Sequence, residues 1–73
     1  MAANTGTIEI VVNGERRQVS LGHTITDLLR SLGIQPDRVA IELDRRIVKP
    51  PEWNTTVLEA ESAIEIVQFV GGG

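Results

Sequence analysis

The sequence contains no cysteine and a single histidine, His23. Without cysteine the chain cannot form a disulfide framework, provide a thiolate nucleophile or bind zinc through sulfur, and this composition fits a reducing compartment. One imidazole is too few for a histidine cluster that holds a transition metal, so we expect no metal site, although carboxylates alone could still bind a hard cation weakly. Any sulfur chemistry that involves this chain must therefore use sulfur from another molecule.

Aromatic residues and clustered positive charge are also scarce. Trp53 and Phe69 are the only aromatic residues, and seven basic residues against ten acidic ones give a net charge of −3. Nucleic-acid-binding surfaces usually combine a basic stripe with stacking aromatic side chains, so we expect no nucleic-acid partner. No apolar run has the length of a membrane span, and residues 1–6 do not resemble a signal peptide. We expect a cytoplasmic protein without membrane attachment.

At 73 residues the chain has the length of one small domain. A domain of this size buries only about 60% of the surface that its unfolded chain exposes, which allows one thin core. We therefore expect no deep internal active site, and the chain is not predicted to be an enzyme.

Two strands and a tight turn are predicted near the amino terminus. The alternating apolar residues of the first strand are Ile8, Ile10 and Val12. Asn13-Gly14 favours a type I′ hairpin turn, because both residue types tolerate positive φ. Residues 15–21 should return antiparallel, with Val19 and Leu21 facing the core.

A helix is predicted next. Thr24 can cap its first turn and Asp27 can complete a capping box, while Gly33 is a natural terminator. The apolar residues at helical spacing are Ile25, Leu28, Leu29 and Leu32. This stripe predicts one helix face packed against a sheet.

Two further strands are predicted after Pro36. In the third strand the apolar residues on one face are Val39, Ile41 and Leu43. A polar turn at residues 44–46 leads to a short edge strand at residues 47–49, which Pro50-Pro51 ends. Trp53 is predicted to cover one end of the core, and a partner-binding role for it is the alternative.

The final strand, predicted over residues 63–70, is partly apolar on both faces. Ile64 and Ile66 are expected to point inward, which turns Val67 and Phe69 to the opposite, exposed face. An exposed apolar pair beside the chain end suggests a docking surface. The alternative is a β-bulge that turns Phe69 back into the core.

The order of elements predicts a two-layer α+β fold. A hairpin, a crossover helix and returning strands allow the last strand to lie beside the first, in the middle of a mixed sheet. This is the β-grasp arrangement. The predicted organisation is a flexible arm over residues 1–6, a domain over residues 7–70 and a flexible glycine tail over residues 71–73.

Three glycines, Gly71, Gly72 and Gly73, follow the last strand. They carry no side chain to pack, so we expect a flexible tail with a free carboxylate that reaches roughly 13 Å past Val70 and can enter a narrow channel. A cloning remnant or a frayed end is the alternative interpretation.

Several segments together resemble the thiamine-biosynthesis sulfur-carrier (ThiS) family of the ubiquitin-like β-grasp superfamily. They are residues 10–14, Thr24 with residues 27–29, residues 39–43 and residues 64–73. Two positions depart from the family pattern. Glu61-Ser62 stands where Gly-Asp is usual, so a positive φ at Glu61 would be strained, and Asp44 stands where Asn is usual.

The resemblance implies a carrier whose carboxyl-terminal Gly73 is modified. In such proteins an adenylating activating enzyme, which itself uses ATP, converts the terminal carboxylate to an acyl adenylate. Sulfur from a donor such as a cysteine desulfurase persulfide then gives a thiocarboxylate, which passes to thiazole synthase. The chain itself would bind no cofactor, and Val67, Phe69 and Val70 would contact the partner.

Other interpretations stay open on sequence grounds, because a glycine tail does not encode its acceptor. The chain could carry sulfur for another pathway such as molybdopterin synthesis, or act as a ubiquitin-like protein modifier. It could also be a β-grasp binding module with an incidental tail.

Overall fold

The computed structural model describes residues 6–69, which form a five-stranded mixed sheet with one α-helix packed against it. The elements are β1 Thr7–Val12, β2 Glu15–Ser20, α1 Ile25–Leu32, β3 Val39–Leu43, β4 Arg46–Val48 and β5 Ala63–Gln68. Short 3-10 turns at Pro36–Arg38 and Pro50–Glu52 lie in the connections. The predicted α+β class and order of elements are confirmed.

The hairpin between β1 and β2 turns at the predicted dipeptide. Asn13 and Gly14 have φ values of 50° and 84°, as a type I′ turn requires. Val19 packs against the core, but Leu21 is 66% exposed, so its predicted inward orientation is wrong. The reason is that β2 ends at Ser20 and the chain turns immediately afterwards, so the strand alternation does not extend to Leu21.

The helix begins and ends where the sequence predicts. The Asp27 N–H donates to Thr24 Oγ1 at 3.1 Å, and the Thr24 N–H donates to Asp27 Oδ2 at 3.0 Å, which completes the capping box. Gly33 follows in the left-handed region with φ 71°, and its N–H donates to the Arg30 carbonyl. The predicted caps are therefore confirmed.

The strand order across the sheet is β2-β1-β5-β3-β4. The last strand, β5, runs parallel to β1 and antiparallel to β3, so it occupies the centre. This confirms the predicted β-grasp arrangement, and β4 is the edge strand that was expected. β5 consequently lies in the middle of the sheet rather than at its margin.

One apolar core fills the space between helix and sheet. Its buried residues are Ile10, Val12, Ile25, Leu28, Leu29, Val39, Ile41, Trp53, Leu58, Ile64 and Ile66. Trp53 is 3% exposed and its indole Nε1 donates to the Val48 carbonyl at 2.7 Å, which confirms the predicted core position. Leu58 was not predicted, because it lies in a loop without apolar periodicity, where its N–H donates to the His23 carbonyl.

Parts of the predicted organisation lie outside the described residues. These are residues 1–5 of the predicted arm, Val70 and the glycine tail. Across residues 6–69, the structure contains no helix with the length and hydropathy needed to cross a membrane.

Candidate functional site

The carboxyl end of β5 is anchored mainly from one side. Toward β3, backbone pairing continues to the end of the described chain, where the Phe69 N–H donates to the Arg38 carbonyl at 2.8 Å. Toward β1, the strand ladder ends earlier, with Val12 opposite Ile64. The Asn13 N–H donates to the Ile64 carbonyl at 2.8 Å as the last backbone bond on that side.

The side chain of Asn13 continues this edge by one step. Its Nδ2 donates to the Ile66 carbonyl at 3.2 Å, and the Ile66 N–H donates to Asn13 Oδ1 at 2.7 Å. A side-chain amide offers the same donor and acceptor as a peptide group. Asn13 therefore replaces the strand residue that β1 lacks at this point.

The beginning of β5 is fixed by a second side chain from a turn. Asp44, at φ 50°, accepts a hydrogen bond from the Ala63 N–H through Oδ1 at 2.9 Å, and its own N–H donates to the Ala63 carbonyl at 2.8 Å. Just before β5, Glu61 has a φ of 69°. A non-glycine residue in this region is strained, as the departure from Gly-Asp predicted.

Val67 and Phe69 are 55% and 57% exposed, whereas Ile64 and Ile66 are buried. The register with β3 runs without interruption from Leu43 opposite Ile64 to the far end of β5. The predicted exposure is therefore confirmed, and the alternative of a bulge that buries Phe69 is wrong. Phe69 also borders a shallow depression of 570 Å³, which is lined by Gly33, Ile34, Gln35, Arg38 and Gln68.

The open face of the sheet near Val67 combines apolar and acidic side chains. Glu42 and Glu65 face each other across β3 and β5, and Ile47 lies opposite Glu42 on β4 with 73% of its surface exposed. Directly opposed like charges disfavour the sheet. On this face the carboxylates of Glu42 and Glu65 therefore lie close to the exposed apolar side chains of Ile47 and Val67.

Residues 6–69 contain no group of three potential metal ligands. The pKa of Asp27 is lowered by the hydrogen bond from the Thr24 backbone and then by that from its side chain, so this shift belongs to the helix cap. A mainly apolar depression of 580 Å³ lies beside Leu29 and Trp53, with Arg30 and Asp37 among its charged neighbours.

The structure brings together two of the predicted site residues. Val67 and Phe69 lie two positions apart on one exposed strand face, whereas Val70 and residues 71–73 lie outside the described chain. The sequence predictions assigned Asn13 and Asp44 only to turns. Their contacts with β5 were missed because the partners lie 53 and 19 positions away in sequence.

The sequence and the fold of this chain are similar to those of known proteins. The sequence model of the ThiS family matches residues 8–73. A thiazole synthase of Magnetococcus marinus is 36% identical over 66 residues, which are 90% of this chain and 20% of that protein. The uncharacterised protein ycf40 of Pyropia yezoensis is 32% identical over 66 residues, which cover 90% of this chain and 93% of that protein.

The chain thus spans about a fifth of the length of the thiazole synthase relative and nearly the whole of the ycf40 protein. Among solved structures, the crystal structure of the thiamine biosynthesis protein (ThiS) from Geobacter metallireducens is similar, with a TM-score of 0.78 and 28% identity. The similarity covers 90% of this chain and 100% of that one. A solution structure from the same organism gives a TM-score of 0.75.

Proposed function

Because the chain belongs to the ThiS family, we propose that it is a sulfur carrier of thiamine biosynthesis and not an enzyme. The observation that carries this proposal is the position of Val67 and Phe69. Both are exposed apolar residues at the end of a central strand, and the sequence continues from there into three glycines. Such an arrangement offers a partner an apolar surface beside a terminus without side chains.

The proposed chemistry takes place at the Gly73 carboxylate. A carboxylate is a poor electrophile, so an activating enzyme first joins it to the α-phosphorus of ATP and releases pyrophosphate. Sulfur of a persulfide donor, such as a cysteine desulfurase, then attacks the carbonyl carbon and AMP leaves. A thiol of a partner reduces the remaining sulfur–sulfur bond and releases the thiocarboxylate. The chain lacks cysteine, so both the sulfur and this thiol belong to other proteins.

We further propose thiazole synthase as the acceptor of this sulfur. The similarity of the chain to about a fifth of a thiazole synthase supports this assignment, because a segment found within one protein in one organism is often a separate partner in another. The thiamine biosynthesis protein of Geobacter metallireducens supports the same pathway. Since the activation consumes ATP, the proposed location is the cytoplasm.

Val67, Phe69 and Val70 form the proposed contact with the activating enzyme. The carboxylates of Glu42 and Glu65 border this contact, so a basic side chain on the partner would relieve their mutual repulsion. Gly71 and Gly72 would lie in the channel that leads to the adenylation site, where a Cβ atom would obstruct passage.

The test is an intact-mass measurement of the chain ending at Gly73 after incubation with ATP, an adenylating enzyme and a persulfide donor. The expected product has one oxygen replaced by sulfur. Matched control variants lack Gly73 or carry one added residue, and both should stay unmodified with unchanged melting temperature. Modification of the variant without Gly73 would overturn the proposal. Attachment of the chain to other proteins would favour a protein modifier instead.

A further inference from the structure

The backbone groups of β5 point alternately to its two neighbours. The Phe69 N–H points to β3, because it donates to the Arg38 carbonyl. The Ile64 carbonyl points to β1, because it accepts from the Asn13 N–H. Four residues after Ile64, the N–H and carbonyl of Gln68 consequently point to the β1 side of the sheet.

β1 does not reach this part of β5. The last β1 residue paired with it is Val12, opposite Ile64, and the side chain of Asn13 occupies both backbone groups of Ile66. Within residues 6–69, no strand or side chain pairs with the backbone of Gln68 on this side. The free edge of the central strand therefore begins at Gln68.

This edge borders a groove of 260 Å³. Glu15 and Arg17 of β2 line it together with Leu32, the last residue of α1, and Ile34 just after the helix. An unpaired strand edge recognises an extended backbone through main-chain hydrogen bonds, and neighbouring side chains select the sequence that binds. The groove combines such an edge with apolar side chains and with charges of both signs.

We propose that the activating enzyme binds this edge by strand addition, with one of its extended segments hydrogen-bonded to the N–H and carbonyl of Gln68. The inference rests on the proposed function and adds the mode of binding to it. In the sequence Gly73 follows Gln68 by five positions, and its carboxylate is the group that this enzyme must reach. The segment would lie on the edge of the strand, while Val67 and Phe69 would contact the enzyme from the open face.

A partner segment explains this edge better than a second copy of the chain. The free edge covers one residue in the described chain, and pairing of two such edges alone would bury far less surface than a stable dimer needs. An enzyme that also covers Phe69 and the groove gains the additional contact area. The edge then sets the direction in which the tail enters the enzyme.

The first test uses Gln68→Pro, because proline has no N–H and its ring obstructs a neighbouring strand. This N–H is not used in hydrogen bonds to β3, so the variant should fold, because proline is tolerated where a strand edge is unpaired. ATP–pyrophosphate exchange by a purified adenylating enzyme is measured against the concentration of the carrier. Half-saturation should require roughly a tenfold higher concentration or more, as expected for loss of a main-chain hydrogen bond together with a steric block.

Gln68→Ala is the matched comparison, since it removes the side chain, which lines the groove, and keeps the N–H, so half-saturation should rise clearly less than with Gln68→Pro. If Gln68→Pro does not fold, chemical synthesis of the 73-residue chain with an ester in place of the Gln68 amide removes the N–H alone. The inference would be overturned, and the proposed function left standing, if the ester variant reached half-saturation at the wild-type concentration. The same holds if Gln68→Ala raised that concentration as much as Gln68→Pro does. Absence of exchange with the wild-type chain would overturn it together with the proposed function.

Discussion

Asn13 and Ile66 are joined by two hydrogen bonds across 53 positions of the sequence. The same Asn13 turns the first hairpin with a positive φ. One residue therefore ends β1, reverses the chain and holds β5 three residues before Phe69. Through this contact the first hairpin stabilises the strand end that carries the proposed docking residues.

Replacement of Asn13 tests this contact. Asn13→Gly keeps the positive φ at no steric cost but removes both hydrogen bonds, and should lower the free energy of unfolding by about 1 to 3 kcal/mol. Urea unfolding measures the loss, and amide exchange at Ile66 should accelerate. Wild-type stability in Asn13→Gly would show that the two bonds contribute nothing.

Asn13→Asp separates the donor from the acceptor. The carboxylate still accepts from the Ile66 N–H, but it has no donor for the Ile66 carbonyl and repels it. At neutral pH the variant should be less stable than the wild type, and it should recover part of the difference when acid protonates the new carboxyl group. An equal deficit at both pH values would contradict a role for the Asn13 donor.

Local sequence signals predicted most of the fold because they report on neighbours in the chain. The alternation that buries Ile10 and the capping box of Thr24 and Asp27 both act over a few residues, and both were confirmed. The predicted inward orientation of Leu21 was wrong because strand periodicity does not show where a strand stops. Leu58 was missed because its burial depends on contacts of a loop, which leave no periodic pattern.

The candidate site was less predictable for a related reason. Exposure of Phe69 depended on whether β5 kept its register with β3, and sequence alternation alone left a bulge possible. The contact of Asn13 with Ile66 required knowledge that β5 lies beside β1 and extends past its end. Such relationships arise only when distant segments are placed next to each other.

Phe69→Ala distinguishes a docking role from a packing role. Because Phe69 is exposed, the variant should change the free energy of unfolding by less than about 0.5 kcal/mol. Its binding to the activating enzyme should weaken by about 1 kcal/mol or more. Thermal melts and a titration with the enzyme measure the two effects, and Val67→Ala should show the same pattern.

Ile66→Ala is the matched control for Phe69→Ala, from the buried face of the same strand. It should destabilise the fold by about 2 to 5 kcal/mol, because it leaves a cavity in the core. A comparable loss of stability in Phe69→Ala would contradict the exposed position and with it the docking role.

Asp27 should make the free energy of unfolding depend on pH in the acidic range. Its pKa is lowered in the folded state, chiefly by the hydrogen bond from the Thr24 backbone, so the unfolded chain binds the proton more tightly and stability rises with pH. The contribution is complete above the ordinary pKa of aspartate, about 4. It is lost as the pH falls from there through the lower folded pKa.

The measurement for Asp27 is urea unfolding between about pH 6 and pH 2, with Asp27→Asn as the control that does not titrate at this position. The difference in stability between wild type and variant should narrow below about pH 4. If the free energies of unfolding of the two proteins ran parallel over this pH range, the Asp27 carboxylate would make no contribution to the pH dependence of stability.

Glu61→Gly tests the strain at the turn before β5. Glu61 has a φ of 69°, where a side chain costs about 1 to 2 kcal/mol that glycine avoids. Glycine adds roughly 0.5 to 1 kcal/mol of unfolded-state entropy, and the exposed ion pair with Arg16 at 3.6 Å contributes little. The variant should therefore be more stable by about 0.5 to 1 kcal/mol.

Glu61→Gln removes the charge without relieving the backbone, so it should stay within about 0.5 kcal/mol of the wild type in urea unfolding. If Glu61→Gly is the less stable of the two variants, the left-handed conformation is not the dominant cost at this turn.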